Sequence, residues 1–98
     1  MKIVFTSPAA ADLDEILNYT AENYPYLADK FERRIREVIA HIRRWPRNAR
    51  EIDDRPGTRS VPLVRYPYQI FYRIDGNTIE ILSIRHTSRE RWADEENP

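Results

Sequence analysis

The sequence predicts an α+β domain of order β-α-α-β-β-β: an N-terminal strand, an antiparallel helical hairpin, then a three-stranded antiparallel sheet. Two neighbouring segments, residues 13–24 and 27–45, repeat apolar side chains at the 3.6-residue period of a helix with almost nothing between them. Residues 68–74 and 78–86, dense in β-branched and aromatic residues, flank Asp75-Gly76-Asn77, the composition of a tight hairpin turn. Ninety-eight residues suffice for one domain, 1–98, with a single core.

Taken in order, residues 2–6 form a short β-branched and aromatic strand. Ser7-Pro8 then supplies an N-cap and a proline at the first helical position, where its missing N–H costs nothing. Leu13, Ile16, Leu17, Thr20 and Tyr24 share one stripe of the first helix, while Asp12, Asp14 and Glu15 sit in early turns where the helix dipole favours acids. Pro25 ends that helix at Asn23-Tyr24, because the residue before proline avoids the α conformation. Leu27, Phe31, Ile35, Val38, Ile39, Ile42 and Trp45 carry a second helix as far as Pro46. Its opposite face holds Arg33, Arg36, Arg43 and Arg44, a pattern that solvation alone explains.

Residues 47–58 read as a polar loop with Pro56-Gly57 as its turn. Residues 60–64 form a strand with a free edge or a bulge at Pro62, which cannot donate to a ladder. Tyr66-Pro67 marks a bend before the hairpin. Beyond His86, Thr87-Ser88 is expected to cap a short C-terminal helix through about Arg91, and residues 94–98 form a flexible acidic tail.

Either Asp75-Gly76 or Gly76-Asn77 as the two-residue turn sorts the hairpin into the same two faces. Tyr68, Ile70, Tyr72, Ile74, Ile79, Ile81, Ser83 and Arg85 fall on one, expected to meet the helices. Gln69, Phe71, Arg73, Glu80, Leu82, Ile84 and His86 fall on the other. Gly76-Asn77 would also set Arg73 opposite Glu80, a favourable cross-strand pair. The second face keeps apolar surface at Phe71, Leu82 and Ile84, which in so short a chain calls for cover by a partner.

A net charge of zero hides a division along the chain. Residues 33–73 hold eleven basic and four acidic residues, a net of +7, and the remainder carries −7. The basic middle suits an acidic protein or nucleic acid, although the neutral whole disfavours binding that rests on neutralising many phosphates. The absence of cysteine excludes disulfides and thiolate metal sites. No apolar run approaches a membrane span and residues 1–8 are too short for a signal peptide, so the expected location is the cytoplasm. The sequence shows no HExxH, glycine-rich phosphate loop or GxSxG turn, and neither a metal nor a cofactor is expected.

The SPAAADLDEI start of the first helix, the VRYPYQIFYRI strand segment and the IEILSIRHTSRERW ending, in this element order, resemble the ParE/RelE superfamily of type II toxin–antitoxin toxins. The resemblance covers almost the whole chain and is nearer the ParE branch at VRYPYQIFYRI and HTSRERW. It implies a bacterial toxin that forms a hetero-oligomer with a cognate, ParD-like antitoxin. RelE-like members cut messenger RNA on the ribosome, whereas ParE-like members poison DNA gyrase and leave cleaved DNA behind.

A metal-free ribonuclease needs a base for the 2′-hydroxyl, an acid for the leaving oxygen and cations for the phosphorane charge. His86, Arg65 and Arg85 are the alternative catalytic set, with Tyr66, Tyr68 and Arg59 nearby in the pattern. Lysine occurs only at Lys2 and Lys30, and Trp92 stands where several RelE-like enzymes carry a terminal tyrosine; indole can be neither acid nor base. His41 lies among core positions, and Glu51 and Asp53 are loop carboxylates that no spacing singles out. The expectation is therefore a non-catalytic gyrase inhibitor, without sequence-specific nucleic-acid binding of its own. An endonuclease of the RelE type and a non-toxic interaction module of the same fold are the alternatives. Target binding falls to Arg65, Tyr66, Tyr68, Arg85, His86, Arg89 and Trp92. Antitoxin binding falls to Arg33, Arg36, Arg59 and Arg65 by charge, and to Phe71, Leu82 and Ile84 by apolar surface.

Overall fold

A computed structural model describes residues 1–87. The elements are β1 (Lys2–Phe5), α1 (Ser7–Asn23), α2 (Pro25–Arg44), β2 (Arg50–Glu51), β3 (Thr58–Pro62), β4 (Tyr68–Asp75) and β5 (Thr78–His86). The α+β class and the adjacent helices agree with expectation, but the sheet has five strands in the order β1-β5-β4-β3-β2 rather than three. Strand β1 adds in parallel to the outer edge of β5, with Lys2 opposite Thr78 and Phe5 opposite Ile81. That pairing covers an edge that the buried β5 would otherwise leave open. The two-residue β2 continues the sheet beyond β3 within what reads as loop in the sequence.

Helix α1 begins one residue earlier than the Ser7-Pro8 signal suggests. Thr6 is its N-cap, accepting from the Ala9 N–H at 3.3 Å, and the proline stands second in the helix. A single residue, Tyr24, connects α1 to α2, and Pro25 opens the second helix. The described residues make one core in which Ile16, Phe31, Ile35, Val38 and Ile42 of the helices meet Ile70, Tyr72, Ile79, Ile81 and Ile84 of the sheet. The Tyr72 hydroxyl reaches through this layer to donate to the Pro46 carbonyl at 2.6 Å.

The hairpin turn is Gly76-Asn77, flanked by the Asp75–Thr78 pair. Gly76 has φ +60, as the first central position of a type II′ turn requires. Arg73 lies opposite Glu80 and is ion-paired with it. Further along, a bulge changes the face assignment: Tyr72 pairs with Ile81 but Phe71 with Ser83, leaving Leu82 as an extra residue in β5. Beyond the bulge the alternation of β5 is inverted relative to β4. Ile84 and His86 therefore join Ile70 and Tyr68 on the helix side, while Ser83 and Arg85 turn to the other. Ile84 is 3% exposed, within the core, and Phe71 is 2% exposed, so neither offers the free apolar surface that strict alternation predicts.

Helix α1 anchors the bulge. Both the Ile81 and Leu82 carbonyls lie within reach of the Thr6 hydroxyl, at 3.0 and 3.2 Å, and Asp12 Oδ2 accepts from the Ile84 N–H at 3.0 Å. The N-cap thus serves the helix and the irregular strand together, and Asp12 bonds to the sheet rather than to its own helix terminus.

Candidate functional site

The segment between β3 and β4 is folded by two consecutive three-residue turns. The Arg65 N–H donates to the Leu63 carbonyl at 2.8 Å and the Tyr68 N–H to the Tyr66 carbonyl at 2.8 Å. In the first turn Val64, a β-branched residue, takes φ +67. That is the rarer and strained hand of a γ-turn, where an L side chain crowds its own carbonyl. The turn is held from several sides: the Leu63 N–H bonds the Tyr68 carbonyl, Arg34 Nε bonds the Leu63 carbonyl at 3.1 Å, and Thr87 N–H bonds the Pro67 carbonyl. The result projects Val64, 74% exposed, and Arg65 outward while Leu63 is buried and Tyr66 half-buried.

Beside this loop, the first turns of α2, one stripe of α1 and the end of β5 enclose a cleft of about 660 Å³. Phe31 forms its floor, with the rings of Tyr66 and Tyr68 at 4.9 and 5.6 Å between centroids. His86 meets the Tyr68 ring edge-on at 5.2 Å. Tyr19 and Tyr24 stand 6.2 Å apart on the helix side, and Asp12 and Glu15 continue that wall along α1. Burial, then Tyr19, Glu15 and Tyr24, push the Tyr68 phenol above its ordinary range, which keeps it a neutral hydrogen-bond donor at physiological pH.

Of the sequence-assigned target residues, Tyr66, Tyr68, Arg85 and His86 come together in this cleft. Arg65 lies on the exposed loop next to it, and Arg89 and Trp92 lie outside the described residues, as do the segments expected to form a short C-terminal helix and an acidic tail. The residues assigned to an antitoxin divide. Arg33 is exposed; Arg36 bonds Glu32 at 3.0 Å on the surface; Leu82 is half-buried. Arg59 instead ties down the chain after α2, donating to the carbonyls of Arg47 at 3.2 Å and Ala49 at 2.6 Å. Glu51 accepts from the Gly57 N–H at 2.8 Å, a role in the turn, and His41, between the core positions Val38 and Ile42, is exposed. Asp12, Glu15, Tyr19 and Phe31 were not among the residues assigned from sequence. Their signal was the i, i+3, i+7 stripe of Asp12, Glu15 and Tyr19 facing the aromatic start of α2.

Among the described residues no group of three or more His, Cys, Asp or Glu is placed to hold a metal ion, and no helix is long and apolar enough to cross a membrane. A helical hairpin on a sheet, with a cleft rimmed by aromatic and charged groups at one end, defines a small α+β binding domain. Residues 3–91 match the family described as ParE toxin of type II toxin-antitoxin system, parDE, and the chain belongs to that family. It is 32% identical over 85 residues to Toxin ParE3 of Caulobacter vibrioides, a match spanning 85% of this chain and 83% of that protein. The solved chromosomal ParDE toxin–antitoxin system from P. aeruginosa is similar with a TM-score of 0.76 and 31% identity, over 88% of this chain and 95% of that one. A YoeB/ParE toxin from Agrobacterium tumefaciens shares the fold at a TM-score of 0.61 and 18% identity, over 88% of this chain and 98% of that one. The chain is thus the toxin of a ParDE type II toxin–antitoxin system, and its family implies an antitoxin partner.

Proposed function

We propose that the chain inhibits DNA gyrase without catalysing a reaction itself, and that a ParD-like antitoxin binds it and silences it in the cytoplasm. The observation that carries this reading is that the ParE family match spans residues 3–91 and that identity of 31–32% to Toxin ParE3 and the ParDE system extends over most of the chain, whereas the YoeB/ParE toxin of Agrobacterium tumefaciens, at 18%, shares the fold alone. The chemistry of the cleft supports it. Burial raises the Tyr68 phenol, which further disfavours the phenolate that a base for the 2′-hydroxyl would require. Arg65, Tyr66 and the Arg85–His86 strand end then act as a contact rim for the target; Arg89 and Trp92, assigned to the same role from sequence, lie outside the described residues.

Of the residues assigned to the antitoxin from sequence, Arg33, Arg36, Arg65 and Leu82 remain as its contacts. Arg59 has its guanidinium on backbone carbonyls, and Phe71 and Ile84 are buried. Expression of the chain alone is expected to stop growth, with co-expressed antitoxin restoring it. Purified ribosomes translating in the presence of the chain should keep their messenger RNA intact. Normal growth at full expression would remove the toxin role and leave an interaction module of the same fold.

A second reading, ribosome-dependent endonuclease, draws on one arrangement: Arg85 and His86 line the same cleft as Tyr66 and Tyr68. His86→Ala decides it, because messenger RNA cleavage that His86→Ala abolishes would favour the nuclease.

A further inference from the structure

The cleft has a composition that the toxin role does not by itself explain. Tyrosines and a phenylalanine line it, yet its α1 wall is acidic in a molecule whose middle is basic. Glu15 and Tyr19 are four residues apart on α1 and so project side by side, and both are exposed, Tyr19 to 53%. Opposite them stand Tyr66 and Tyr68, braced against Phe31 at 4.9 and 5.6 Å. Aromatic rings grouped beside a carboxylate form a setting that attracts a cationic group, and a planar guanidinium can stack on a ring while its fork meets the carboxylate. The volume of about 660 Å³ is that of a ligand site and admits more than one side chain.

We propose that this cleft receives an arginine side chain of the antitoxin, its guanidinium lying between Tyr19 and Tyr66 with its fork on Glu15. The assignment rests on the reading that an antitoxin binds the chain, and it names one contact within that complex. Charge selects this occupant: the acidic wall repels the carboxylates that the basic face of α2 attracts, so one docking segment meets acid-seeking and base-seeking surfaces at different points along its length. The Tyr68 phenol is raised chiefly by burial and then by Tyr19, with Glu15 adding to the same direction. Arg85 also lines the cleft, but its Nε donates to Ser83 Oγ at 3.2 Å, a residue beyond the core face of β5. Asp12 Oδ2 already accepts from the Ile84 N–H, and Glu15 is the exposed carboxylate of the two.

The test uses the full chain and N-acetyl-L-arginine methylamide, followed by the aromatic side-chain resonances of the tyrosines. Saturable shifts confined to Tyr19, Tyr24, Tyr66 and Tyr68 are expected. The neutral isostere N-acetyl-L-citrulline methylamide should bind at least about fivefold more weakly, and Glu15→Gln should weaken the arginine probe by about threefold or more, the size of one exposed cation–ring or ion-pair contact. Glu15 is exposed, so Glu15→Gln should melt with the unaltered chain, and it should weaken the antitoxin complex by a similar factor. Equal binding of citrulline, shifts mapping elsewhere, inorganic phosphate perturbing the cleft in place of arginine, or an antitoxin affinity indifferent to Glu15→Gln would each overturn the assignment. Any of these alongside growth arrest that the antitoxin relieves would leave the toxin role standing. Arginine binding without growth arrest would remove that role and not the site.

Discussion

Val64 is held at φ +67 in the turn that presents Arg65, and the strain there can be measured by replacing one side chain with two others. A left-handed L residue costs about 1–2 kcal/mol, which glycine does not incur. Glycine in turn raises the entropy of the unfolded chain, a loss of about 0.4–1 kcal/mol relative to alanine. The valine side chain is 74% exposed, so its burial term is small and is removed in both variants. Val64→Gly should therefore be more stable than Val64→Ala by about 0.8 kcal/mol, the reverse of the usual order of the two residues. In a domain of this size that corresponds to about 3–6 °C in melting temperature. Paired urea titrations with equal m-values provide the assay. Val64→Ala matching or exceeding Val64→Gly would show that the turn carries no such strain.

Other expectations follow from single hydrogen bonds. Asp12→Ala leaves the Ile84 N–H at the bulge without its acceptor and should cost about 1–3 kcal/mol in urea unfolding, with exchange of that amide accelerated. Thr6→Ala removes an N-cap and the hydroxyl that bridges to β5, and should cost about 0.5–2 kcal/mol by the same measurement. Tyr72→Phe orphans the Pro46 carbonyl, with an expected loss of about 1–3 kcal/mol near neutrality. Burial raises the Tyr72 phenol above the ordinary tyrosine range against the opposing pull of Arg59, and burial with its tyrosine and glutamate neighbours raises Tyr68 likewise. A raised folded-state value means that the folded protein holds its proton longer than the unfolded chain. The associated stability is complete below pH 10 and falls as pH rises through the folded values, so unfolding midpoints should drop in alkali, less steeply in Tyr72→Phe.

Periodicity and turn chemistry made the two helices, the hairpin and the Arg73–Glu80 pair legible, because each of these depends on residues close in sequence. The bulge at Leu82 was not, since face assignment from a turn assumes one residue on each strand per step, and only the Thr6 and Asp12 bonds from α1 reveal why β5 departs from it. The pairing of β1 with β5 and the brief β2 likewise depend on contacts that no local pattern encodes. At the site, Tyr66, Tyr68, Arg85 and His86 were recognisable as a strand-end cluster. Glu15 and Tyr19 were hidden because a helix dipole and an amphipathic surface explain them equally well until α1 is seen to face the Tyr66–Tyr68 loop. Arg59 shows how charge alone under-reads a residue: it suggested a partner, and its Nη1 also donates to the Arg47 and Ala49 carbonyls within the chain.

The most direct measurement of the central claim is a supercoiling reaction containing purified DNA gyrase, relaxed plasmid, ATP and increasing amounts of the chain. The account predicts loss of supercoiling with accumulation of cleaved plasmid, both reversed by the antitoxin. Undiminished supercoiling, with messenger RNA cut on ribosomes by the same preparation, would contradict it.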